Sequence, residues 1–338
     1  MKSNKIIAII LLLCMMVSTV GCGNPVAKVK SLFEDNNEAV SKVIESPDEI
    51  QTDEQVRDTV LYYKDDKGFL IPVMRKIPWT EGIAKATLKA LINNPANRKD
   101  IETIGLFPVI PTNTQILGMN IKEGICKVDF NSAFLGSCSR AEEEDLVKSV
   151  TYTLTEFPTI DCVEFMVNGK EVSVLEYGTD ISENMTRNNI NYVSEGPSED
   201  KVVVYYEGTT NGLESYFIPV TKAIAKGDAT GVGMLDALDA LVEGPPEGSG
   251  LYSKIPKGTK VINVDMNDDV ACVNLSEQIL EIKDNKELAE SVSKSFALTL
   301  KEKYKNIAAV KFFVNGKELK LKDQEIEPVA VPTFANEY

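Results

Sequence analysis

The chain has 338 residues and a formal net charge of −15, with 36 Lys and Arg against 51 Asp and Glu, and no histidine. A chain this acidic has no general attraction for a phosphate backbone, which excludes nucleic acid as a partner. The lack of histidine excludes Ser-His-Asp and Cys-His catalysis and His-ligated zinc. We therefore expect a protein that is not an enzyme and that uses no metal or cofactor.

Residues 1–21 are predicted to be a lipoprotein signal peptide. Lys2 and Lys5 precede an apolar run, Ile6–Val17, that is too short to span a bilayer as a stable helix. The four residues that end at Cys22 resemble the bacterial lipobox, with Thr19 where Leu is usual. Cys22 is therefore the predicted lipidation site; an ordinary cleavable signal or an uncleaved anchor is the alternative.

Lipid on Cys22 would hold the protein at the outer face of the cell membrane. Each buried methylene contributes about 0.8 kcal/mol, so two acyl chains anchor durably. No later segment of the sequence has transmembrane length. Residues 22–57 are polar and acidic, and we expect a spacer between the membrane and the folded body.

The rest of the chain is a tandem duplication. The five residues Val167–Glu171 recur without change as Val314–Glu318. Five other landmarks recur in the same order, roughly 145 residues apart: Leu61–Tyr63 with Val204–Tyr206, Ile71–Val73 with Ile218–Val220, Leu88–Ile92 with Leu238–Val242, Ile110-Pro111 with Ile255-Pro256, and Val128–Phe130 with Val273–Leu275. Each copy is long enough to bury its own core. We predict domains over residues 58–180 and 201–326.

Each copy begins with two predicted strands and a helix. In repeat one the strands are Thr59–Tyr63 and Phe69–Met74, separated by a turn at Asp65–Gly68. The helix, Thr80–Asn93, stops before Pro95 because proline cannot continue it. One ring of each Tyr-Tyr pair is expected in the core, and the other is expected to line a groove.

A second strand pair, Gln115–Ile121 and Ile125–Phe130, follows in repeat one. The repeat ends in a hairpin of Cys162–Val167 and Lys170–Val174, whose Asn168-Gly169 turn is typical of type I′. The recurring pentapeptide is therefore explained by a turn requirement.

A long helix separates the second strand pair from the hairpin. Ser139 and Glu142 form a predicted capping box that opens this helix, which is expected to continue to Glu156. Asp284 and Glu287 are predicted to open its twin. Each copy is thus ββ-α-ββ-α-ββ: an α+β, two-layer domain with a mainly antiparallel sheet and two helices on one face.

Two segments outside the copies remain. Residues 181–200 are rich in Asn, Ser and Glu, and form either a flexible tether or an ordered connector between the repeats. Residues 327–338 are predicted to be a C-terminal tail.

Four cysteines lie beyond Cys22: Cys126, Cys138, Cys162 and Cys272. Repeat two has only one, so no disulfide framework was copied with the domain. We expect small buried thiols. A bridge between Cys126 and Cys162 remains an alternative.

Acidic residues are the remaining candidates for chemistry. Glu142–Asp145 lie in a predicted first helical turn, where acids favour the helix dipole. Asp129 is replaced by Asn274 in repeat two, so any acid role would belong to one repeat alone. Both sets are expected to be solvated rather than catalytic. Asp265–Asp269 resembles the start of a calcium loop. However, Val270 and Ser276 stand where such a loop needs Gly and Glu, so a hairpin turn is expected.

These landmarks together resemble the GerMN domain family of sporulation and germination lipoproteins, over Thr59–Leu175 and Val202–Lys322. One departure is Asn131, which matches Ser276 of the second copy. The resemblance implies an α-β-β-α-β core related to the ring-building motifs of secretion machinery. It also implies membrane or channel proteins of sporulation as partners, and a mother-cell membrane location facing the forespore.

The leading hypothesis is a membrane-anchored scaffold that acts through protein–protein contacts. One alternative is a lipoprotein that binds a glycan or small ligand of the peptidoglycan wall in a groove between the repeats. A wall hydrolase that uses paired carboxylates is the least favoured.

Overall fold

The computed structural model describes residues 56–79, 82–192, 200–212, 214–224, 233–321, 324–325 and 328–338. The predicted signal peptide, the lipidation site Cys22 and nearly all of the predicted spacer lie outside these residues. Both repeats belong to a single unit, Asp53–Tyr338.

In its described residues, repeat one has seven strands and three α-helices. Its strands are β1 (Val56–Asp65), β2 (Leu70–Pro78), β3 (Leu106–Phe107), β4 (Ile116–Lys122), β5 (Ile125–Phe130), β6 (Cys162–Val167) and β7 (Lys170–Glu171), and its helices are α1 (Ile83–Ala90), α2 (Pro95–Ile101) and α3 (Arg140–Leu154). The strands form two sheets, in the orders β2-β1-β3 and β4-β5-β6-β7.

Repeat two has the same two sheets and counterparts of α1 and α3, but no described helix corresponds to α2. Its elements are β8 (Lys201–Thr210), β9 (Glu214–Ala223), α4 (Met234–Glu243), β10 (Leu251–Tyr252), β11 (Val261–Asn267), β12 (Val270–Leu275), α5 (Lys286–Lys303), β13 (Ala309–Val314), β14 (Lys317–Glu318), β15 (Lys320–Leu321), β16 (Gln324–Glu325) and β17 (Val329–Ala330). The sheet orders are β10-β8-β9 and β11-β12-β13-β14, with β17 also on β13. The α+β class is confirmed.

Among the described strands of each copy's larger sheet, one pairing is parallel, and it joins the strands on either side of the long helix. β5 runs parallel to β6 across α3, and β12 runs parallel to β13 across α5. A chain that returns in the same direction needs such a crossover, and a helix supplies it. The remaining pairings described within both sheets are antiparallel.

The hairpin turns form as the residue types predict. Asn168 and Gly169 have φ of 50° and 73°, and Asn315 and Gly316 have φ of 49° and 78°. Two consecutive positive φ values define the type I′ turn, which explains why this dipeptide occurs in both copies.

The two long helices begin differently. Ser139 Oγ accepts from Glu142 N at 3.2 Å as predicted, but Glu142 Oε2 accepts from Cys138 N. The prediction for the twin is wrong by one residue, because Asn285, not Asp284, caps α5 and accepts from Leu288 N at 3.1 Å.

A buried apolar cluster fills the space between sheets and long helices in both copies. In repeat one Phe130 stacks on Phe134 with ring centroids 4.2 Å apart. In repeat two Phe296 of α5 meets Phe312 edge to face at 5.4 Å. In repeat two this contact packs the long helix against the larger sheet, whereas in repeat one it packs the short turn Ser132–Leu135 against the end of β5.

Candidate functional site

The region where the two repeats meet, here called the junction, is the candidate functional site. It is built by the first hairpin and the end of the long helix of each copy, by residues 182–192 and by Asn336. A second buried cluster lies here, formed by Tyr62, Leu70, Tyr152 and Ile190. The described part of the predicted linker is therefore an ordered connector.

Equivalent residues of the two copies make equivalent contacts at the junction. Tyr62 N donates to Thr153 Oγ1 at 3.1 Å, and Tyr205 N donates to Thr299 Oγ1 at 3.1 Å. These bonds tie the first strand of each copy to its own long helix, so the junction surface is presented in the same way twice.

The two tyrosine hydroxyls repeat the pattern. Tyr62 OH donates to Glu156 Oε1 at 2.9 Å, and Tyr205 OH donates to Glu302 Oε2 at 3.0 Å. Burial raises the pKa of both phenols well above the ordinary value. Both therefore remain neutral and act as donors to the carboxylates.

Arg187 of the connector joins the two copies. Its Nη1 lies 2.9 Å from Glu156 Oε1, and its Nη2 lies 3.0 Å from Glu302 Oε1 and 3.0 Å from Tyr62 OH. The guanidinium carbon lies 4.4 Å from the ring centroid of Tyr152. The three charged side chains are only 16–32% exposed, so solvent screens them weakly.

Two asparagines hold the junction through main-chain contacts. Asn191 Nδ2 donates to Leu70 O and to Pro219 O, each at 2.8 Å. Asn336, in the predicted C-terminal tail, donates from Nδ2 to Pro72 O at 2.7 Å and to Phe217 O at 2.9 Å. Each side chain thus satisfies backbone groups from both copies.

Both rings of each Tyr-Tyr pair are buried. Tyr63 and Tyr206 belong to the main core. The rings of Tyr62 and Tyr205 line a junction cavity of about 250 Å³ together with Arg187 and Lys301. The structure thus places one ring of each pair in the core and the other beside a cavity.

The acidic candidates do not converge on this cavity. Asp129 accepts from Gly169 N at 2.9 Å, and Asn274 accepts from Gly316 N at 3.0 Å, so both support a hairpin turn. The expected solvation of Glu143 is wrong. It is 3% exposed and its carboxylate accepts from Tyr177 N at 2.8 Å and Thr179 N at 3.2 Å.

The calcium-like segment forms the predicted hairpin. Asp265 and Asn267 lie on β11, and Asp268 turns the chain with φ of 54°. Across the residues that the structure describes, no group of three or more Cys, Asp or Glu side chains is arranged to hold a metal ion.

The four cysteines of the repeats are free. Cys126 and Cys162 are buried on neighbouring strands and unbridged, and Cys272 is half-buried. Cys138 is exposed, so the prediction of buried thiols is wrong there. It comes one residue before Ser139, the N-cap of α3, and so lies outside the helix.

Sequence reasoning missed Arg187, Asn191 and Asn336. All three lie outside the duplicated segments, so the repeat comparison gave no counterpart for them. The repeat comparison could have identified Glu156 and Glu302, because each comes at the same spacing after the equivalent threonine, Thr153 or Thr299.

No helix in the described ranges combines the length and apolar character that crossing a bilayer requires. The predicted anchor at Cys22 lies outside those ranges and remains a prediction.

Comparison with known proteins agrees with the duplicated fold. The profile of the Germane family, described as sporulation and spore germination, matches residues 60–173 and 203–320. The spore germination protein GerM of Bacillus subtilis (strain 168) is 28% identical over 317 residues, which cover 89% of this chain and 85% of GerM.

A solved structure shows the same architecture. The tandem GerMN domains of the B. subtilis sporulation protein GerM superimpose with a TM-score of 0.72 at 27% identity, covering 84% of this chain and 99% of that one. The resemblance seen in the sequence is confirmed. This chain, with its two copies joined at Arg187, belongs to the Germane family of sporulation and spore germination proteins.

Proposed function

We propose that this protein is a non-enzymatic lipoprotein that scaffolds a sporulation or germination assembly through protein–protein contacts. The observation that carries the proposal is the junction, where one arginine and two asparagines fix the copies to each other. Two surfaces held at a set geometry can bind two partners at once, which raises the effective concentration of one for the other. Family membership supports the cellular process.

The proposed anchor is diacylglyceryl-modified Cys22 at the outer face of the cell membrane. In a sporulating cell this is the mother-cell membrane facing the forespore. Radiolabelled palmitate should enter the wild-type chain and not the Cys22→Ala variant, which should leave the membrane fraction. Label or membrane retention in the variant would contradict lipid anchoring.

The scaffold role is tested by crosslinking in sporulating cells followed by mass spectrometry. We expect the chain to capture membrane or channel proteins of sporulation, and to lose them together when the junction is broken by Arg187→Met. Arg140→Met, which alters an exposed pair on α3, is the matched control. Unchanged capture and spore yield in Arg187→Met would contradict a role for the fixed geometry.

A second candidate function is binding of a peptidoglycan glycan or small ligand. The observation that favours it is the junction cavity beside the Tyr62 and Tyr205 rings. Calorimetric titration with peptidoglycan fragments distinguishes the two, because saturable micromolar binding that is weakened by Tyr205→Leu would favour the second. Zymography tests the least favoured role, a wall hydrolase, and we expect no clearing.

A further inference from the structure

Equivalent positions of the two repeats carry ion pairs with the charges exchanged. The first strand provides the carboxylate in repeat two and the ammonium in repeat one. In repeat two the ammonium comes from Lys254, which lies 2.7 Å from Glu207 Oε2 on β8 and 3.3 Å from Ser291 Oγ on α5. Ser291 Oγ also donates to Glu207 Oε1 at 2.5 Å. The lysine side chain therefore crosses from the loop after β10 to the strand and the helix.

In repeat one, Lys64 takes the place of Glu207, Val109 that of Lys254, and Asp145 that of Ser291. These matches follow from aligning Tyr63 with Tyr206, Ile110 with Ile255 and Thr153 with Thr299. Lys64 Nζ lies 2.6 Å from Asp145 Oδ2. Val109 is too short to reach either group. The space beside the loop is instead a cavity of about 570 Å³, here called the repeat-one pocket.

The ion pair in this pocket has unused hydrogen-bonding capacity. In the part of the chain that the structure describes, Lys64 Nζ has one acceptor and Asp145 one donor, each other. An ammonium has three N–H groups, and a carboxylate has about four acceptor positions. Their side chains are 30% and 20% exposed, so both face the opening. A ligand with an acceptor next to a donor would complement the pair.

Apolar and polar residues both line the pocket. The apolar ones are Phe107, Pro108, Val109, Pro111 and Ala133, and beside the ion pair the polar ones are Asn93, Thr112, Asn113, Ser137 and Glu142. Phe107 belongs to β3, the last strand of its sheet. A volume of this size suits a small ligand or a short peptide segment.

From these observations we propose that the repeat-one pocket binds a secondary amide with an apolar substituent, presented by an extended peptide segment of a protein partner. The amide C=O accepts from Lys64 Nζ, its N–H donates to Asp145, and the substituent packs on Phe107 and Val109. A peptide is favoured over an N-acetylated sugar because β3 is an edge strand, and an edge strand can take an added strand. Repeat two holds its own Lys254 at this place.

The inference rests on the proposed scaffold function, to which it assigns one partner-binding site. The probe is N-acetyl-leucine-N-methylamide, titrated into the detergent-solubilised full-length chain labelled at alanine methyl groups. The Ala133 methyl resonance should shift and saturate at millimolar probe.

The decisive variant transplants the repeat-two arrangement into repeat one: Lys64→Glu, Val109→Lys and Asp145→Ser. It keeps the net charge and copies a set of contacts that this fold already accommodates. The Ala133 shift should be lost. The reverse transplant in repeat two, Glu207→Lys, Lys254→Val and Ser291→Asp, is the control and should leave the Ala133 shift as in wild type.

A milder variant, Lys64→Met, keeps the stem and should weaken binding about tenfold, with thermal melting as the check on folding. No saturable shift in wild type, or equal binding by the transplant, would overturn the proposal. Tighter saturation by N-acetylglucosamine than by the peptide probe would assign the pocket to glycans and also overturn it. A chain that recruits partners in cells without binding the probe would reject the pocket alone, whereas no recruitment would reject the scaffold function.

Discussion

Asp129 and Asn274 occupy the same place in the two copies, although one is charged and the other is not. Each accepts a hydrogen bond from the glycine N–H of its own hairpin turn. Only an acceptor oxygen is needed, and both side chains have one. The acid-to-amide difference between the copies thus has a structural explanation.

This explanation predicts that Asp129→Asn changes the free energy of unfolding by less than about 0.5 kcal/mol. Asp129→Ala removes the acceptor and should lower it by about 1 kcal/mol. Urea unfolding measures both. Equal losses in the two variants would show that the charge, not the acceptor, matters.

The cysteines should differ sharply in reactivity. Burial raises the pKa of the Cys126 thiol to about 12, so almost none of it is thiolate at pH 8. Cys138 is exposed. We expect N-ethylmaleimide at pH 8 to modify Cys138 within minutes and to spare Cys126 until urea is added, as followed by peptide mapping. Early labelling of Cys126 would contradict the packing of β5.

Helices, strands and turns were predicted correctly from the sequence where local interactions determine them. The type I′ turns, the β1–β2 hairpin and the long helices each follow from turn chemistry or periodicity. The first and last residues of the elements were predicted less accurately. The helix predicted from Thr80 begins at Ile83 because Gly82 has φ of 86°, outside the helical range.

Long-range contacts account for the features that the sequence did not predict. Glu143 falls in an acidic first turn that is typical of a solvated face, yet a loop 34 residues later covers it and donates two backbone N–H groups to it. The division of each copy's strands between two sheets likewise depends on packing across the core. No local pattern encodes either.

The capping of α5 gives a matched pair of variants. Asn285→Ala removes the acceptor that Leu288 N uses, and should lower the free energy of unfolding by about 1 kcal/mol. Asp284→Ala changes the neighbouring exposed residue and should cost less than about 0.5 kcal/mol. Thermal or urea unfolding measures both. A larger loss at Asp284 would restore the cap expected from the sequence.

For the whole molecule, the junction decides whether two copies behave as one body. Its residues come from both repeats, from the connector and from the last residues of the chain, so periodicity within a copy could not reveal them. The repeat comparison identified the paired positions of Tyr62 and Tyr205, and the equal spacing of Glu156 and Glu302 from the aligned threonines was open to it as well. The comparison could not identify Arg187.

Arg187→Met should leave Glu156 and Glu302 facing each other without the guanidinium that pairs with both. Removing one partner of a largely buried ionic group costs about 3 kcal/mol. Arg140→Met breaks an exposed pair on α3 and should cost less than about 0.5 kcal/mol. Urea unfolding gives both values, and small-angle scattering should show a larger radius for Arg187→Met alone. Matching stabilities would mean that the asparagines suffice to hold the copies together.

Sharing one guanidinium has a consequence for how the duplicated halves can diverge. Replacing Glu156 by Gln changes the strength of the ion pair between Arg187 and Glu302. The changes in the free energy of unfolding caused by Glu156→Gln and Glu302→Gln should therefore not add. Duplicated segments ordinarily drift apart independently once copied. Here a change accepted in one half alters the cost of a change in the other, and the two halves are constrained to diverge together.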